Sequence, residues 1–212
     1  MQKDGVIKFD CKWDKAPSLV PEDVFHKLNS WRNKLYDLNL IGIYDNGIGY
    51  GNISARLNET NKFYISGSAT GDIRKTGIEH YALVEGFDLN KNLVICSGPI
   101  KASSESLTHG SIYASDSRIS GIVHIHHQGM WKWALDRFPT SAEKYSYGTS
   151  EIAIEISCLI RNPKISGTGI IVMGGHEGGL LFFGSEIEGA GQITFDYFKK
   201  YLNESNSEIN SG

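Results

Sequence analysis

The sequence has no apolar run that approaches the roughly 18 residues of a membrane-spanning helix. Its opening segment, MQKDGVIKFD, also lacks the apolar stretch of a signal peptide. The three cysteines, Cys11, Cys96 and Cys158, are odd in number and far apart in sequence, which argues against a disulfide framework or a cysteine zinc cluster. These absences predict an intracellular protein located in the cytoplasm.

The sequence also has no segment in which charges of one sign are concentrated. The 21 basic and 24 acidic residues give a formal net charge of −3, and neither sign forms a long block. The sequence therefore lacks the basic footprint that is typical of binding to nucleic acids or to anionic membranes. We expect no nucleic-acid partner and no membrane partner.

The length of 212 residues and the hydrophobic content of 40% favour one domain with a substantial core over two small domains. We therefore assign residues 1–212 to a single domain. The polar segment NESNSEINSG, at about 203–212, has the composition of a flexible tail.

The hydrophobic pattern predicts both helices and strands. From about Pro21 to Leu40, apolar residues such as Leu28 and Leu35 recur at helical spacing. The segments GNISARL and NKFYIS, and the two halves of YALVEGFDLNKNLVIC, are typical of hairpin strands. Because hairpins predominate over strict alternation of strands and helices, the expected fold is α/β, with a mainly antiparallel central sheet between layers of helices.

Three histidines crowd the segment GIVHIHHQGMW. If GIVHI is a strand, His124 and His126 lie about 6.6 Å apart on one face, where both imidazoles could bind one ion. His127 must then point away or begin the next helix. His176, in a glycine-flanked turn between two apolar segments, is the best candidate for a third ligand. The alternative is that His124 and His126 are only a hydrogen-bonded pair.

The segment KASSESLTH places Glu105 at or near the start of a helix. A carboxylate beside a divalent ion can act as a fourth ligand or carry protons. His109 lies four residues later and could share that helical face, although a packing role is favoured. Ser103 and Ser104 could simply cap the helix, or they could bind phosphate with the free backbone amides at its start.

Two glycine-rich segments offer further contacts to an anion. The segment GNISAR contains Asn52, and SGSATGDIRKTG contains Thr70 and Gly71. Each segment could be an ordinary turn, because glycine, serine and asparagine are common in turns. Cys96 has no evident activating partner in the sequence and is predicted to be structural.

The order of these motifs, GNIS, TG, SSE, HIH and a late histidine flanked by glycines, resembles that of the class II aldolase/adducin head family. That family includes sugar-phosphate aldolases, 4-epimerases and dehydratases. The 19 residues from Glu105 to His124 are similar to the family's spacing between its acidic residue and its first metal-binding histidine. The resemblance covers residues 28–202.

The resemblance implies a three-layer α/β/α fold like that of class II aldolases. It implies that Zn²⁺, or another divalent transition metal, is bound and that Glu105 exchanges protons with the substrate. The implied metal ligands are His124, His126 and His176, and the implied phosphate-binding residues are Asn52, Thr70, Gly71, Ser103 and Ser104. The implied assembly is a homotetramer.

The activity implied is that of a zinc-dependent lyase acting on a small-molecule phosphorylated sugar. Such an enzyme cleaves a phosphorylated ketose by a retro-aldol reaction, through a metal-stabilised enediolate, to dihydroxyacetone phosphate and an aldehyde. A metal-dependent dehydratase or 4-epimerase of the same family is an alternative, and so is a non-catalytic, adducin-like assembly module. Glutamate at position 105 favours the aldolase and the dehydratase over the epimerase.

Two features depart from the family pattern. Glu177 stands between His176 and the following glycines, and the segment ISGSATG is longer than the usual strand and turn. Family enzymes often complete the site with a tyrosine or another acid from a neighbouring subunit or a tail, and the spacing does not choose among Tyr113, Tyr145, Tyr147, Tyr197 and Tyr201.

Overall fold

The computed structural model describes residues 7–162 and 169–209, which form ten strands and five α-helices. The strands are β1 Asp10–Lys15, β2 Gly42–Ile43, β3 Gly49–Tyr50, β4 Asn52–Arg56, β5 Phe63–Ser66, β6 Tyr81–Asp88, β7 Leu93–Gly98, β8 Gly121–His126, β9 Ile170–Val172 and β10 Gly179–Gly184. The helices are α1 Glu22–Asp37, α2 Ser106–Ser115, α3 Gln128–Ala134, α4 Ser150–Arg161 and α5 Ile187–Ile209.

Eight of these strands form one sheet in the order β1-β7-β6-β5-β4-β8-β10-β9. Only β1 runs parallel to its neighbour, and every other adjacent pair is antiparallel. The expected mainly antiparallel sheet is therefore confirmed. Strand β1 was not predicted, because its sequence DCKWDK is polar and mostly exposed at the edge of the sheet.

The helices cover both faces of the sheet. Helices α2 and α4 share one hydrophobic core with the sheet, which includes Ile112 and Ile156. Helices α1, α3 and α5 share the second core, which includes Leu28 and Phe198. A fully buried aliphatic or aromatic side chain contributes about 2 kcal/mol relative to an exposed one. The three-layer α/β/α architecture is thus confirmed.

Helix α1 shows why the first helical prediction succeeded. Its buried Leu28 and Leu35 lie two turns apart and face the sheet. Glu22 and Asp23 lie in its first turn, where acidic side chains interact favourably with the free N–H groups. The helix ends at Asp37, and the chain then turns through Asn39, whose φ of 56° is left-handed.

The last helix differs from the composition-based expectation. Residues 203–209, which were expected to belong to a flexible tail, form the last turns of α5, while 210–212 lie outside the described residues. None of the described helices combines the length and the apolar character needed to cross a bilayer.

The parallel pairing of β1 with β7 also brings two cysteines together. Cys11 and Cys96 are free thiols whose Sγ atoms lie 3.7 Å apart. Burial, followed by the neighbouring Cys96, raises the pKa of Cys11 to about 12. The sequence could not show this contact, because 85 residues separate the two cysteines.

Candidate active site

Strand β8 places two histidines on the same face of the sheet. It lies between β4 and β10, with His124 opposite Asn52 of β4 and His126 opposite Gly179 of β10. Because side chains alternate along a strand, Val123 points into the core on the face opposite these histidines. The sequence GIVHIH thus directs both imidazoles to the side of the sheet that also carries α2 and α4.

His176 reaches these histidines from the turn between β9 and β10. The turn is closed by two backbone hydrogen bonds, His176 N–H to Met173 O at 3.1 Å and Gly179 N–H to His176 O at 2.8 Å. A Cβ atom on Gly179 would lie 2.7 Å from Cδ2 of His176, so only glycine fits there. The extra Glu177 is exposed and accepts a hydrogen bond from Gln128.

The three imidazoles form a compact, buried cluster. Each can offer a nitrogen such that the three nitrogens lie within 4.8 Å of one another. Nε2 of His124 is buried and has no hydrogen-bond partner among the described residues. Imidazole nitrogens bind Zn²⁺ at about 2.0 to 2.1 Å, and such donors suit zinc, iron, copper or nickel. The residues present therefore fit a divalent transition metal.

The protonation of the cluster agrees with this fit. Burial lowers the pKa of His126 to about 3. Burial, and then repulsion from the neighbouring histidines, lowers the pKa values of His124 and His176 well below the ordinary value. The imidazoles are therefore neutral at neutral pH, and the neutral form is the one that binds metal ions.

Two polar side chains contact the opposite ring nitrogens. The Tyr44 hydroxyl lies 2.8 Å from Nδ1 of His126, and Nδ2 of Asn52 lies 3.2 Å from Nδ1 of His124. A histidine that binds a metal through Nε2 keeps its proton on Nδ1, so its partner there must accept a hydrogen bond. Turning the Asn52 amide over would supply its unpartnered Oδ1 as that acceptor and free Nδ2 for a ligand.

Glu105 lies at the N-cap position of α2, and its side chain is buried in the same cleft. Its Oε2 accepts a hydrogen bond from the Thr108 hydroxyl at 2.9 Å. Glu105 does not belong to the three-histidine cluster, although it lines the cleft with all of its members. Capping by Ser103 or Ser104 would start the helix earlier than Ser106, where α2 begins. Instead, Ser103 O accepts a hydrogen bond from the Ser106 hydroxyl in a turn that precedes the helix.

The rest of the cleft is lined by all five residues proposed to bind phosphate, namely Asn52, Thr70, Gly71, Ser103 and Ser104. The Thr70 hydroxyl donates to Gly67 O at 3.0 Å, which closes the turn. A Cβ atom on Gly71 would lie 2.2 Å from Gly42 O, so this position requires glycine. The three histidines, Glu105 and the five candidate phosphate-binding residues thus line one cleft.

The sequence matches the model of a known protein family over most of its length. Residues 44–190 match the model of the family described as Class II Aldolase and Adducin N-terminal domain. The chain belongs to this family. No curated protein matches the sequence significantly.

Solved structures of class II aldolases have the same fold. An L-fuculose 1-phosphate aldolase matches with a TM-score of 0.66 and 19% identity, over 93% of this chain and 91% of that protein. An L-fuculose-1-phosphate aldolase from Thermus thermophilus matches with a TM-score of 0.64 and 16% identity, over 89% and 95%. A sugar-phosphate aldolase from Thermotoga maritima matches with a TM-score of 0.62 and 14% identity, over 85% and 94%. These likenesses establish the fold.

Within this class II aldolase fold, one of the five tyrosines lines the cleft. The ring of Tyr147 stacks on His176 with centroids 4.6 Å apart, and the Lys8 ammonium lies 3.5 Å from the Tyr147 centroid. The Tyr113 hydroxyl lies 2.7 Å from the Ser54 hydroxyl, and Tyr113 does not line the cleft. The remaining three, Tyr145, Tyr197 and Tyr201, are absent from the cleft lining, and the last two pack in the core on the opposite face.

The sequence missed two aromatic residues of the site. Tyr44 contacts His126, and Tyr50 lines the cleft. Both belong to the segment YDNGIGY, in which the Asn-Gly pair is a turn signal. The turn could be predicted from sequence, but the docking of its tyrosines against His126 is a tertiary contact between residues 82 positions apart.

Proposed function

We propose that this class II aldolase family member is a metal-dependent lyase that cleaves a phosphorylated ketose. The reaction is a retro-aldol cleavage to dihydroxyacetone phosphate and an aldehyde. The observation that carries the proposal is the convergence of His124, His126 and His176 with Glu105 in one cleft. The similarity of the fold to L-fuculose 1-phosphate aldolases agrees with this reaction class.

In this proposal, the three histidines hold Zn²⁺ or another divalent transition metal. When bound, such an ion polarises a substrate carbonyl and stabilises negative charge on the neighbouring carbon and oxygen atoms. Tyr44 and Asn52 orient the rings of His126 and His124 through their Nδ1 atoms.

Glu105 is proposed to carry the proton. Among the described residues that line the cleft, it has the only carboxylate. Retro-aldol cleavage removes a proton from the hydroxyl on one side of the breaking bond and returns a proton to the carbon on the other side. A buried carboxylate held at its Oε2 by Thr108 is positioned for such transfers.

The substrate phosphate is proposed to bind in the same cleft as the histidines. Its contacts would come from Asn52, Thr70, Gly71, Ser103 and Ser104, which together offer an amide, three hydroxyls and backbone N–H groups. Anchoring the phosphate away from the reacting carbons would fix the position of the carbonyl and lower the entropic cost of reaction.

The product of the reaction tests this proposal directly. The purified chain, supplied with Zn²⁺, Co²⁺ or Mn²⁺, would be incubated with a panel of phosphorylated ketoses. Release of triose phosphate is the expected result. A diketone formed without chain cleavage would indicate a dehydratase, and a changed stereocentre with no cleavage would indicate a 4-epimerase. A protein that takes up no metal would favour an assembly module.

Substitution of Glu105 tests its role against a matched control. We expect Glu105→Gln to lower kcat about a hundredfold to ten-thousandfold, the usual range for loss of a general acid or base, while metal content stays unchanged. Glu177→Gln, beside His176 but exposed, should change kcat less than about threefold. Equal losses in both variants, measured by triose phosphate release, would refute the assignment.

The proposed assembly is a homotetramer, as the family resemblance implies. Light scattering of the purified protein should give four times the chain mass. A monomer with full lyase activity would contradict this part of the proposal.

A further inference from the structure

Arg32 connects helix α1 to the turn that carries Thr70 and Gly71. Its side chain is almost fully buried, at 1% exposed, although arginine is seldom found at such burial. Nη2 donates to Thr70 O at 2.8 Å, and Nη1 donates to Arg74 O at 2.9 Å. A single planar guanidinium therefore bridges both ends of the turn.

This bridge fixes the direction of the next backbone N–H group. In a trans peptide unit the C=O and the following N–H point in opposite directions. Because Thr70 O points to Arg32, the N–H of Gly71 points away from α1. Gly71 is buried and lines the cleft, and its N–H has no hydrogen-bond partner among the described residues. A buried, unpaired backbone donor is rare in proteins and suits an anionic ligand.

The charge of Arg32 points to the same kind of ligand. No carboxylate of the described residues lies within ion-pair distance of it. The nearby Asp37 is instead paired with the exposed Arg74, at 3.1 Å. Asp72, in the same turn, acts on Arg32 electrostatically, but it is exposed and lies beyond ion-pair distance. A buried cation with no directly paired carboxylate is costly, and an anion bound at the adjacent turn would offset that cost.

We propose that Arg32 is a positioning residue for anion binding, which holds the turn at 70–74 so that the Gly71 N–H faces a phosphate and which supplies positive charge behind that turn. The proposal rests on the proposed function for the location of the phosphate in the cleft. Arg32 itself donates to carbonyl groups and does not contact the substrate.

The first test measures binding of inorganic phosphate to the metal-loaded protein by calorimetry. Arg32→Met is expected to weaken phosphate binding at least about tenfold. It removes the positive charge behind the turn, and it removes the charge-assisted bond to Thr70 O that orients the Gly71 N–H. Arg32→Lys keeps the charge without the planar guanidinium, so its phosphate affinity should lie between those of Arg32→Met and the wild type. Arg74→Met removes an equal charge from the same turn, and its phosphate affinity should stay within about twofold of the wild-type value.

The second test separates positioning from a general loss of structure. For a substrate and its unphosphorylated analogue, Arg32→Lys should raise KM for the phosphorylated sugar several-fold more than for the analogue, with metal content unchanged. A merely structural role would change both sugars alike. Because Arg32→Lys retains the charge, it keeps the test decisive if Arg32→Met does not fold.

Three results would overturn the inference. The first is that Arg32→Lys and Arg32→Met both bind phosphate as tightly as the wild type. The second is that Arg74→Met loses as much phosphate affinity as Arg32→Met. The third is that the wild type binds no phosphate. Phosphate binding requires no turnover, so it can succeed when no sugar is cleaved. Failure of the lyase assay and failure of this inference are therefore distinguishable.

Discussion

Two groups of buried histidine lie on the same side of the sheet and differ in one respect. His124, His126 and His176 form the cleft cluster, whereas His109, on α2, is not a member of it. Nδ1 of His109 is 2.7 Å from the Ser54 hydroxyl, and its ring stacks near Phe63. Burial lowers its pKa to about 3, as it does for His126.

The comparison shows that burial and a low pKa do not by themselves indicate a metal ligand. His109 and His124 both have a buried Nε2 without a hydrogen-bond partner among the described residues. Of the two, only His124 belongs to a group of three imidazoles whose nitrogens lie within 4.8 Å of one another. Convergence of donors from separate segments therefore distinguishes the candidate metal site from a histidine that serves packing.

The largest effect should come from removing a cluster histidine. His124→Ala takes one of three donors from the site, so bound metal should fall from about one per chain to a small fraction of that. Activity should fall by more than the roughly hundredfold seen when only an outer hydrogen-bond partner of a ligand is lost. Elemental analysis and the lyase assay measure both.

His109→Gln is the matched control for that experiment, because it removes a buried imidazole from the same side of the sheet. It should retain metal at the wild-type level. Equal metal loss in the two variants would erase the distinction between the groups.

An intermediate effect should appear in the pH dependence of stability. His109 has a pKa of about 3 when folded and about 6.5 when unfolded, so between these values the unfolded chain binds a proton that the native chain does not. Through this group, stability is highest above about pH 6.5 and falls as the pH decreases. One such histidine contributes a slope of about 1.4 kcal/mol per pH unit.

His109→Gln removes that contribution. In metal-free protein, urea unfolding between about pH 6 and pH 4.5 should give a flatter decline for the variant than for the wild type, by about that slope. Parallel declines for the two proteins would show that His109 does not remain neutral in the native state.

The smallest effect is expected at His127, which follows the two cluster histidines directly. Its Nδ1 accepts a hydrogen bond from Met130 N–H at 3.1 Å, so it is the N-cap of α3, as expected for a residue that begins the next helix. His127→Ala should lower the free energy of unfolding by about 1 kcal/mol and leave metal content unchanged. His127→Asn should recover most of that loss, and loss of metal in either variant would place His127 in the site.

Much of the fold could be predicted because the relevant signals are local. Helical spacing of Leu28 and Leu35 gave α1, and the apolar run GIVHI gave a strand whose alternating side chains place His124 and His126 on one face. Strand β1 escaped prediction because an edge strand exposes most of its side chains and needs no apolar pattern.

The sequence by itself determined most of the secondary-structure elements, the family and the residue types available to the site, since these depend on patterns within short segments and on the order of those segments. Only the tertiary structure decided that His176 meets His124 and His126, that Tyr44 contacts His126, and that Arg32 holds the turn at Thr70. The physical reason is that these contacts join positions distant in the chain. They depend on the order of strands in the sheet and on which helix packs against which face, and the spacing of residues along the chain does not specify either.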